Sequence, residues 1–348
     1  MPAPAGSGAD AISRVTISDI AERAGLSKGA VSYALNDKPG VSPKTRERVQ
    51  AIAAELGWIP SQAARSLSRS HADAVGLVLA RPARMLGSEP FYMEFIAGVE
   101  GVISPCGIAL LLHVVDGPDS EIATYQKWWA QRRVDGVMLV DLAEHDPRIA
   151  AVRRLDIPAV CVSSALAAGG LPHIWTNDAQ AVHDAVKYLL ELGHRNIARV
   201  RGIPTLAHVL SRDVAFRQIM AGIGIGQPTI VGTDFSGEQG ARATRALLTG
   251  ENPPTAILYD NDVMAVAGLS VANEMGISVP QHLSLLAWDD SPLCEITHPP
   301  LSAMRRDVPA LGAISVQLLL DVIAHTGVII AEGSSPRLFP RGSTAAPR

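Results

Sequence analysis

Cysteine, aromatic side chains and long apolar runs are all scarce in this chain of 348 residues. Its three cysteines, Cys106, Cys161 and Cys294, stand far apart and are odd in number. That excludes a disulfide framework and a cysteine-rich zinc site, and it fits a reducing compartment such as the cytoplasm. No apolar run approaches the roughly 18 residues that a membrane-spanning helix needs, so no membrane partner is expected. Residues 1–14 (MPAPAGSGADAISR) have neither the basic start nor the apolar centre of a secretory signal, and they read as a disordered tail. The signatures of common chemistries are missing as well: there is no GxxxxGK[ST], HExxH, GxSxG or CxxC. The ten histidines form no cluster with metal-ligand spacing. No cofactor or metal is expected, and an α/β enzyme is the disfavoured reading.

What is present is material for folded cores. Hydrophobic residues make up 47% of the chain, charged residues 18%, and the mean hydropathy is +0.18. At roughly 150 residues per domain, two or three domains are expected. The net charge of −4 conceals an asymmetry. Residues 1–71 hold nine Lys/Arg and six Asp/Glu, a net of +3, which leaves 21 basic and 28 acidic residues, a net of −7, for the remainder. A small basic head on a large acidic body suits a chain whose head alone approaches a polyanion.

The head reads as three short helices. Thr16-Ile17-Ser18-Asp19 fits the [ST]-x-x-[DE] cap, and Ile17, Ile20, Ala21 and Ala24 then share one helical face up to Gly25. Ser27 caps a second helix with Ala30, Val31, Ala34 and Leu35 as its buried stripe, ending at Asn36 and Asp37. Ser42-Pro43 opens a third, with Val49, Ile52, Ala53 and Leu56 inward and Gly57 as its stop. Two short helices joined through a glycine and braced by a third make a helix-turn-helix, whose second helix enters the major groove of DNA by its N-terminal residues. Those residues here are Ser27, Lys28, Gly29, Ser32 and Tyr33.

The stretch from Val15 to Leu79 (VTISDIAERAGLSKGAVSYALNDKPGVSPKTRERVQAIAAELGWIPSQAARSLSRSHADAVGLVL) resembles the N-terminus of the LacI/GalR family of bacterial transcriptional repressors. The resemblance continues to the C-terminus. It implies that Lys28 and Gly29 occupy the base-reading positions, with lysine able to donate to guanine. Tyr33 stands where many members carry Arg, so a two-pronged guanidinium contact is replaced by a phenol. Thr16, Ser27, Ser32, Asn36 and Ser42 read as phosphate-positioning or capping groups. Residues 61–68 (SQAARSLS) resemble the family's hinge helix, a segment too short to be helical alone in water. There, Ala64 would permit close helix contact, Arg65 would meet phosphate, and Leu67 would wedge into the minor groove.

After His71, apolar strands alternate with helical stretches, which implies parallel sheets with right-handed crossovers. The expected fold class is therefore α/β: a three-helix helix-turn-helix head and hinge helix, then two doubly wound parallel-sheet lobes. The resemblance implies lobes like those of periplasmic binding proteins. The domains read as 15–60 for the head, 61–72 for hinge and linker, 73–176 plus 305–325 for the first lobe, and 177–304 plus 326–340 for the second. Residues 341–348 read as a disordered tail. Ligands of such sheets bind at the carboxyl ends of the strands.

By the resemblance, the effector residues are Phe91, Arg212, Phe235, Asn261 and Asp289. One cation, one carboxylate, one amide and ring faces suit a polyol. Two departures stand out: Glu89 precedes Pro90-Phe91-Tyr92 where the family has Asn, and Ser163 replaces a more polar residue. Asp262 and Asp290 read as structural, and so does His194, at a helix C-terminus where positive charge suits the dipole. The expected function is a dimeric repressor on a near-palindromic double-stranded operator, with affinity set by a small hydrophilic effector, a sugar by first choice. The alternatives are a purine or nucleoside co-repressor and a sugar-binding transport protein.

Overall fold

The computed structural model describes residues 15–58, 71–224, 227–326 and 330–348. It divides into two compact units, Met1–Ser70 and His71–Arg348.

In the first unit, three helices form: α1 (Ile17–Ala24), α2 (Lys28–Leu35) and α3 (Pro43–Glu55). Asp19 reaches back to the Thr16 N–H at 2.7 Å, and the Thr16 hydroxyl donates to the same carboxylate at 2.8 Å. Gly25 ends α1 at φ 64°, the left-handed conformation that costs glycine least. Ser27 and Ser42 accept from the N–H groups of Ala30 and Thr45 and so start α2 and α3. Ile20, Ala21, Ala24, Val31, Ala34, Val49 and Ala53 close the core of this unit, which small side chains keep thin.

The second unit holds two six-stranded sheets. The first is built from β1 (Ala74–Leu79), β2 (Ala109–Val114), β3 (Gly136–Leu139), β4 (Ala159–Val162), β5 (His173–Trp175) and β11 (Ile330–Glu332). Its order is β11-β5-β4-β3-β1-β2, and every pair is parallel. The second has the order β12-β10-β9-β8-β6-β7. It takes β6 (Ile197–Arg201), β7 (Ile230–Gly232), β8 (Ala256–Tyr259), β9 (Ser284–Asp289), β10 (Ser302–Arg305) and β12 (Arg337–Phe339), with only β12 antiparallel to its neighbour β10. The connecting helices of the first lobe are α4 (Ala83–Leu86), α5 (Pro90–Ile103), α6 (Pro118–Ala130), α7 (Pro147–Leu155) and α8 (Ala165–Ala168). Those that follow are α9 (Asp178–Glu191), α10 (Ala207–Gly222), α11 (Gly237–Leu248), α12 (Asp262–Glu274), α13 (Pro292–Ile296) and α14 (Val308–Ile323).

Central strands are apolar on both faces because helices cover both. In β1, Val75, Leu77 and Leu79 join a core with Phe95 and Val99 of α5 and Leu319 of α14. Val78, pointing the other way, joins Tyr125, Trp128 and Val152 of α6 and α7. The same alternation splits β8, with Ile257 and Tyr259 in one core and Ala256 and Leu258 in the other. Helices α5 and α14 press backbone to backbone: a Cβ on Gly98 would lie 1.9 Å from the Pro309 carbonyl, and one on Gly312 would lie 2.1 Å from that of Phe95.

Three expectations are corrected. Residues 330–332 belong to the first sheet rather than the second lobe, because β11 pairs with β5. Residues 341–348 are not a disordered tail. Their sequence has no apolar face, but Ser343 is fully buried, accepts from the Ser302 N–H at 2.8 Å and donates to the Leu285 carbonyl at 2.6 Å. Hydrogen bonds of this kind carry no hydrophobic pattern, so sequence periodicity misses them. His194 is structural, as read from the sequence, and only its charge is corrected: it is buried between Thr255, Ser284 and the Ala345 carbonyl, which lowers its pKa and disfavours the charged form. Asp262 does act structurally, accepting from the Ser291 N–H at 2.8 Å. Asp290 likewise binds Arg305 and Arg341.

Beneath the turn after β3, the buried Arg148 binds Glu121 at 2.6 Å, Asp146 at 2.7 Å and the carbonyls of Val140 and Asp141 at 3.1 and 2.8 Å. Removing it leaves two buried carboxylates unpaired. Arg148→Ala is expected to cost roughly 3–5 kcal/mol, read as a lowered urea midpoint with an unchanged slope.

Candidate functional site

The carboxyl ends of the two sheets converge on a cavity of about 100 Å3. Each lobe contributes a polar cluster that its strand ends hold in place.

In the first lobe, Arg81 follows β1 and Asp141 follows β3. Arg81 Nη2 donates to Asp141 at 2.8 Å and its Nε donates to the Tyr92 hydroxyl at 2.9 Å, while that hydroxyl donates to Asp141. Burial alone would raise the Asp141 carboxyl, but Arg81, His208 and the Tyr92 hydroxyl hold it down at about 2. Asp141 is therefore an anion at any working pH. Glu89 and Phe91, at the start of α5, line the same wall.

In the second lobe, Asp260 follows β8 and is fully buried beside Arg199, which binds it at 2.7 and 2.9 Å. Its second oxygen accepts from the Gly202 N–H at 3.0 Å. Arg212, on the first turns of α10, binds Asp178 at 3.1 Å and lies 4.1 Å above the Trp288 ring. His208 and Ser211 share the same face at i and i+3, so one helical stripe of α10 is polar and lines the cavity. Burial, followed by the nearby Arg212, lowers the His208 pKa to about 4, leaving the ring neutral.

Phe235 sits at φ 71°. Its N–H donates to the Thr233 hydroxyl at 3.2 Å and its carbonyl accepts from Asn261 Nδ2 at 3.0 Å. The ring lies over Gly202, where a Cβ would come within 1.9 Å of it. Asp289 ends β9 at φ 77° and accepts from Arg306 at 2.6 Å. Arg306 in turn faces the Phe91 ring at 5.1 Å.

Of the five effector residues read from the sequence, Phe91, Arg212, Phe235 and Asp289 line this cavity. Asn261 does not; it is buried behind the wall, capping α12 through the Met264 N–H and holding Phe235. Sequence reasoning passed over Arg81, Asp141, Asp178, Asp260 and Arg306. Most of these are single charged residues one or two places beyond an apolar strand, and that position is the signal that could have found them.

In the head, Ser27, Lys28, Gly29 and Tyr33 are exposed along the start and outer side of α2, with Ser32 half-buried between them. A Cβ on Gly29 would meet only the Ser27 hydroxyl at 4.0 Å, so the fold does not require glycine there. Thr16 and Ser42 are exposed caps. Asn36 donates its side-chain amide to the Ser32 carbonyl at 2.8 Å, closing the end of α2. Ala64, Arg65 and Leu67 lie outside the described residues. Among the described residues, no cluster of His, Cys, Asp and Glu could hold a metal, and no helix is long and apolar enough to cross a membrane.

A helix-turn-helix unit followed by two parallel-sheet lobes around a polar cavity defines a ligand-responsive class of DNA-binding transcriptional regulator. The pattern of the lacI family of bacterial regulatory proteins matches residues 16–61, and that of the periplasmic binding protein-like domain matches residues 186–344. The chain is 30% identical over 305 residues to the HTH-type transcriptional regulator DegA of Bacillus subtilis (strain 168), covering 86% of this chain and 89% of that protein. It superposes on the lac repressor dimer bound to operator and the anti-inducer ONPF with a TM-score of 0.82, at 26% identity over 95% of this chain and 99% of that one. The complex of the transcriptional regulator CelR with cellobiose gives a TM-score of 0.72, also at 26% identity, over 95% of this chain and 100% of that one. The chain belongs to the lacI family. It is a transcriptional regulator and not an enzyme.

Glu89 links this geometry to pH. Burial, with Asp141 and Asp289 adding to it against Arg81, pushes its carboxyl up to about 7 from an ordinary 4.5. Between those values the native state holds a proton that the unfolded chain has lost, so stability falls as pH rises through that window. Glu89→Gln removes this loss. Its melting temperature relative to the parent is expected to be higher at pH 8 than at pH 5, and an equal offset at both pH values would contradict the assignment.

Proposed function

We propose that the chain is a homodimeric repressor of the cytoplasm whose affinity for a near-palindromic operator is set by a small polyhydroxylated effector, most simply a carbohydrate. The observation that carries this reading is the cavity wall. Phe91 and Phe235 offer apolar ring faces, while Arg81, Arg212, Asp289 and Arg306 offer fixed donors and acceptors around them. Ring faces for the C–H surface of a sugar, and paired charges for its hydroxyls, are the two things such a ligand needs. The superposition on the cellobiose complex of CelR supports the same class of ligand.

Effector residues in this reading are Phe91, Arg212, Phe235 and Asp289, with Asn261 acting through Phe235. On the operator, Lys28, Gly29 and Tyr33 face base edges, and Thr16, Ser27, Ser32, Asn36 and Ser42 position the head on phosphates. Ala64, Arg65 and Leu67 contact the DNA beside their counterparts in a second copy. Cavity occupancy acts by linkage: the ligand changes operator affinity only by its differential affinity for the two states of the protein. A tenfold change in operator affinity requires about 1.4 kcal/mol of coupling.

An electrophoretic shift on the palindromic site nearest its own gene tests this, with and without a panel of sugars. A salt-sensitive, sequence-selective shift that one sugar alters is the expected result; binding without sequence preference would remove the reading. In the same assay, Leu67→Ala should weaken operator binding much more than binding to random DNA. Asp289→Ala should abolish the response to the sugar that acts on the parent protein.

A further inference from the structure

Glu89 stands immediately before α5 and is 8% exposed, yet it does not cap that helix. Its Oε1 accepts only a long bond, 3.5 Å, from Asn261 Nδ2. Its Oε2 is buried and meets no donor among the described residues. The other charges of the cavity wall are matched: Arg81 with Asp141, Arg212 with Asp178, Arg306 with Asp289, and Asp260 with Arg199. Glu89 is the carboxylate of that wall without an ion-pair partner among the described residues. A buried oxygen without a donor is costly, and the cost is recovered when a donor arrives. Residue type sharpens the point. An asparagine at this place would offer a donor and an acceptor, whereas an ionised glutamate only accepts.

We propose that Glu89 Oε2 accepts a hydrogen bond from the bound effector, and so selects ligands that present a hydroxyl or ammonium donor there over ligands that present an acceptor. The proposal rests on the cavity being the effector site. It makes Glu89 a specificity-determining residue at the entrance to α5, opposite the Phe235 and Asp289 wall. Two buried lining donors without a partner among the described residues, Arg81 Nη1 and Arg306 Nε, are left to serve acceptors of the same ligand.

Calorimetric titration of the full chain at pH 8 tests it with three probes: cellobiose (hydroxyl donors only), glucosamine (an added ammonium) and gluconate (a polyol ending in an acceptor). The expected result is that the parent binds cellobiose or glucosamine and binds gluconate at least tenfold more weakly. Which of the first two binds more tightly identifies the donor. Glu89→Gln should weaken that binding tenfold or more while keeping a cooperative melt, and Glu89→Asp, which retains the acceptor, should keep most of it. The proposal is overturned if Glu89→Gln binds the preferred probe as tightly as the parent, if gluconate is preferred, or if neither cellobiose nor glucosamine binds. Asp289→Ala separates the two levels. Binding lost in Asp289→Ala but unchanged in Glu89→Gln sinks only the role of Glu89, whereas binding that survives both substitutions places the ligand outside this cavity.

Discussion

The cavity depends on one buried carboxylate. Asp260 holds Arg199 by three bonds, accepts from the Gly202 N–H, and lies 3.7 Å from Arg212. Burial by itself would raise its pKa, but Arg199 and Arg212 outweigh that and keep it ionised. The consequence is geometric. A fully buried anion with two guanidinium neighbours ties the ends of β6 and β8 to the first turns of α10, the elements that carry the floor of the second lobe. In a low dielectric such a network is close to all-or-none, since losing any member leaves its partners buried and uncompensated. The first lobe repeats the arrangement with Arg81, Asp141 and Tyr92, underpinned by Arg148. Neither cluster is in the hydrophobic core, and both fix side chains at the mouths of strands.

Left-handed backbone also occurs beside the cavity, as it does at several turns elsewhere in the chain. Phe235, Asp289 and Asp290 all have positive φ, at 71°, 77° and 64°. Aspartate tolerates this region, whereas a phenylalanine there is unusual and must be held. The holding groups are the Thr233 hydroxyl, the Asn261 amide and the missing side chain of Gly202. Asn261 therefore matters to the cavity without touching it, because it fixes the peptide that turns the Phe235 ring inward. Residues drawn from a family pattern can be correct in place and different in role.

What could be read from sequence follows from what leaves a pattern. Caps and glycine stops mark the helices of the head, because their chemistry is local to three or four residues. Strands β4 and β8 show as apolar runs bounded by polar residues. The first turns of helix α10 leave no periodic signal, because His208, Ser211 and Arg212 place a polar stripe where an amphipathic helix would show apolar residues. Short strands such as β11 and β12 are set by pairing with strands 157 and 32–36 residues away, and the C-terminal segment is set by hydrogen bonds to Ser284, Leu285 and Ser302; neither has a local signature. In the cavity, Arg212, Phe235 and Asp289 were legible through the family resemblance. Arg81, Asp141 and Asp260 look in sequence like any charged residue after a strand, and only the meeting of the two sheets gives them a role.

Among the described residues, Met85 and Ala207 pack into the core of the opposite lobe and Arg306 faces Phe91, while the other polar contacts across the cavity are single ones. The Arg81 guanidinium lies 5.0 Å from the Phe235 ring centre, Asn261 reaches Glu89 at 3.5 Å, and the Ala207 N–H donates to the Leu142 carbonyl at 2.8 Å. Each is a weak or single bond, whereas the clusters inside each lobe are multiply bonded ion pairs. The polar contacts that an opening or closing of the lobes would disturb are therefore single ones. In the proposed reading, a ligand lying between Glu89 and Arg81 on one side and Phe235, Arg212 and Asp289 on the other would contribute donors and acceptors to both lobes at once. Its differential affinity needs to amount to only a few kcal/mol to change the population of a closed state by two orders of magnitude. Lobes that are held by multiply bonded polar clusters and joined by single polar contacts would give a small molecule that leverage, with the clusters rather than the hydrophobic cores carrying the response.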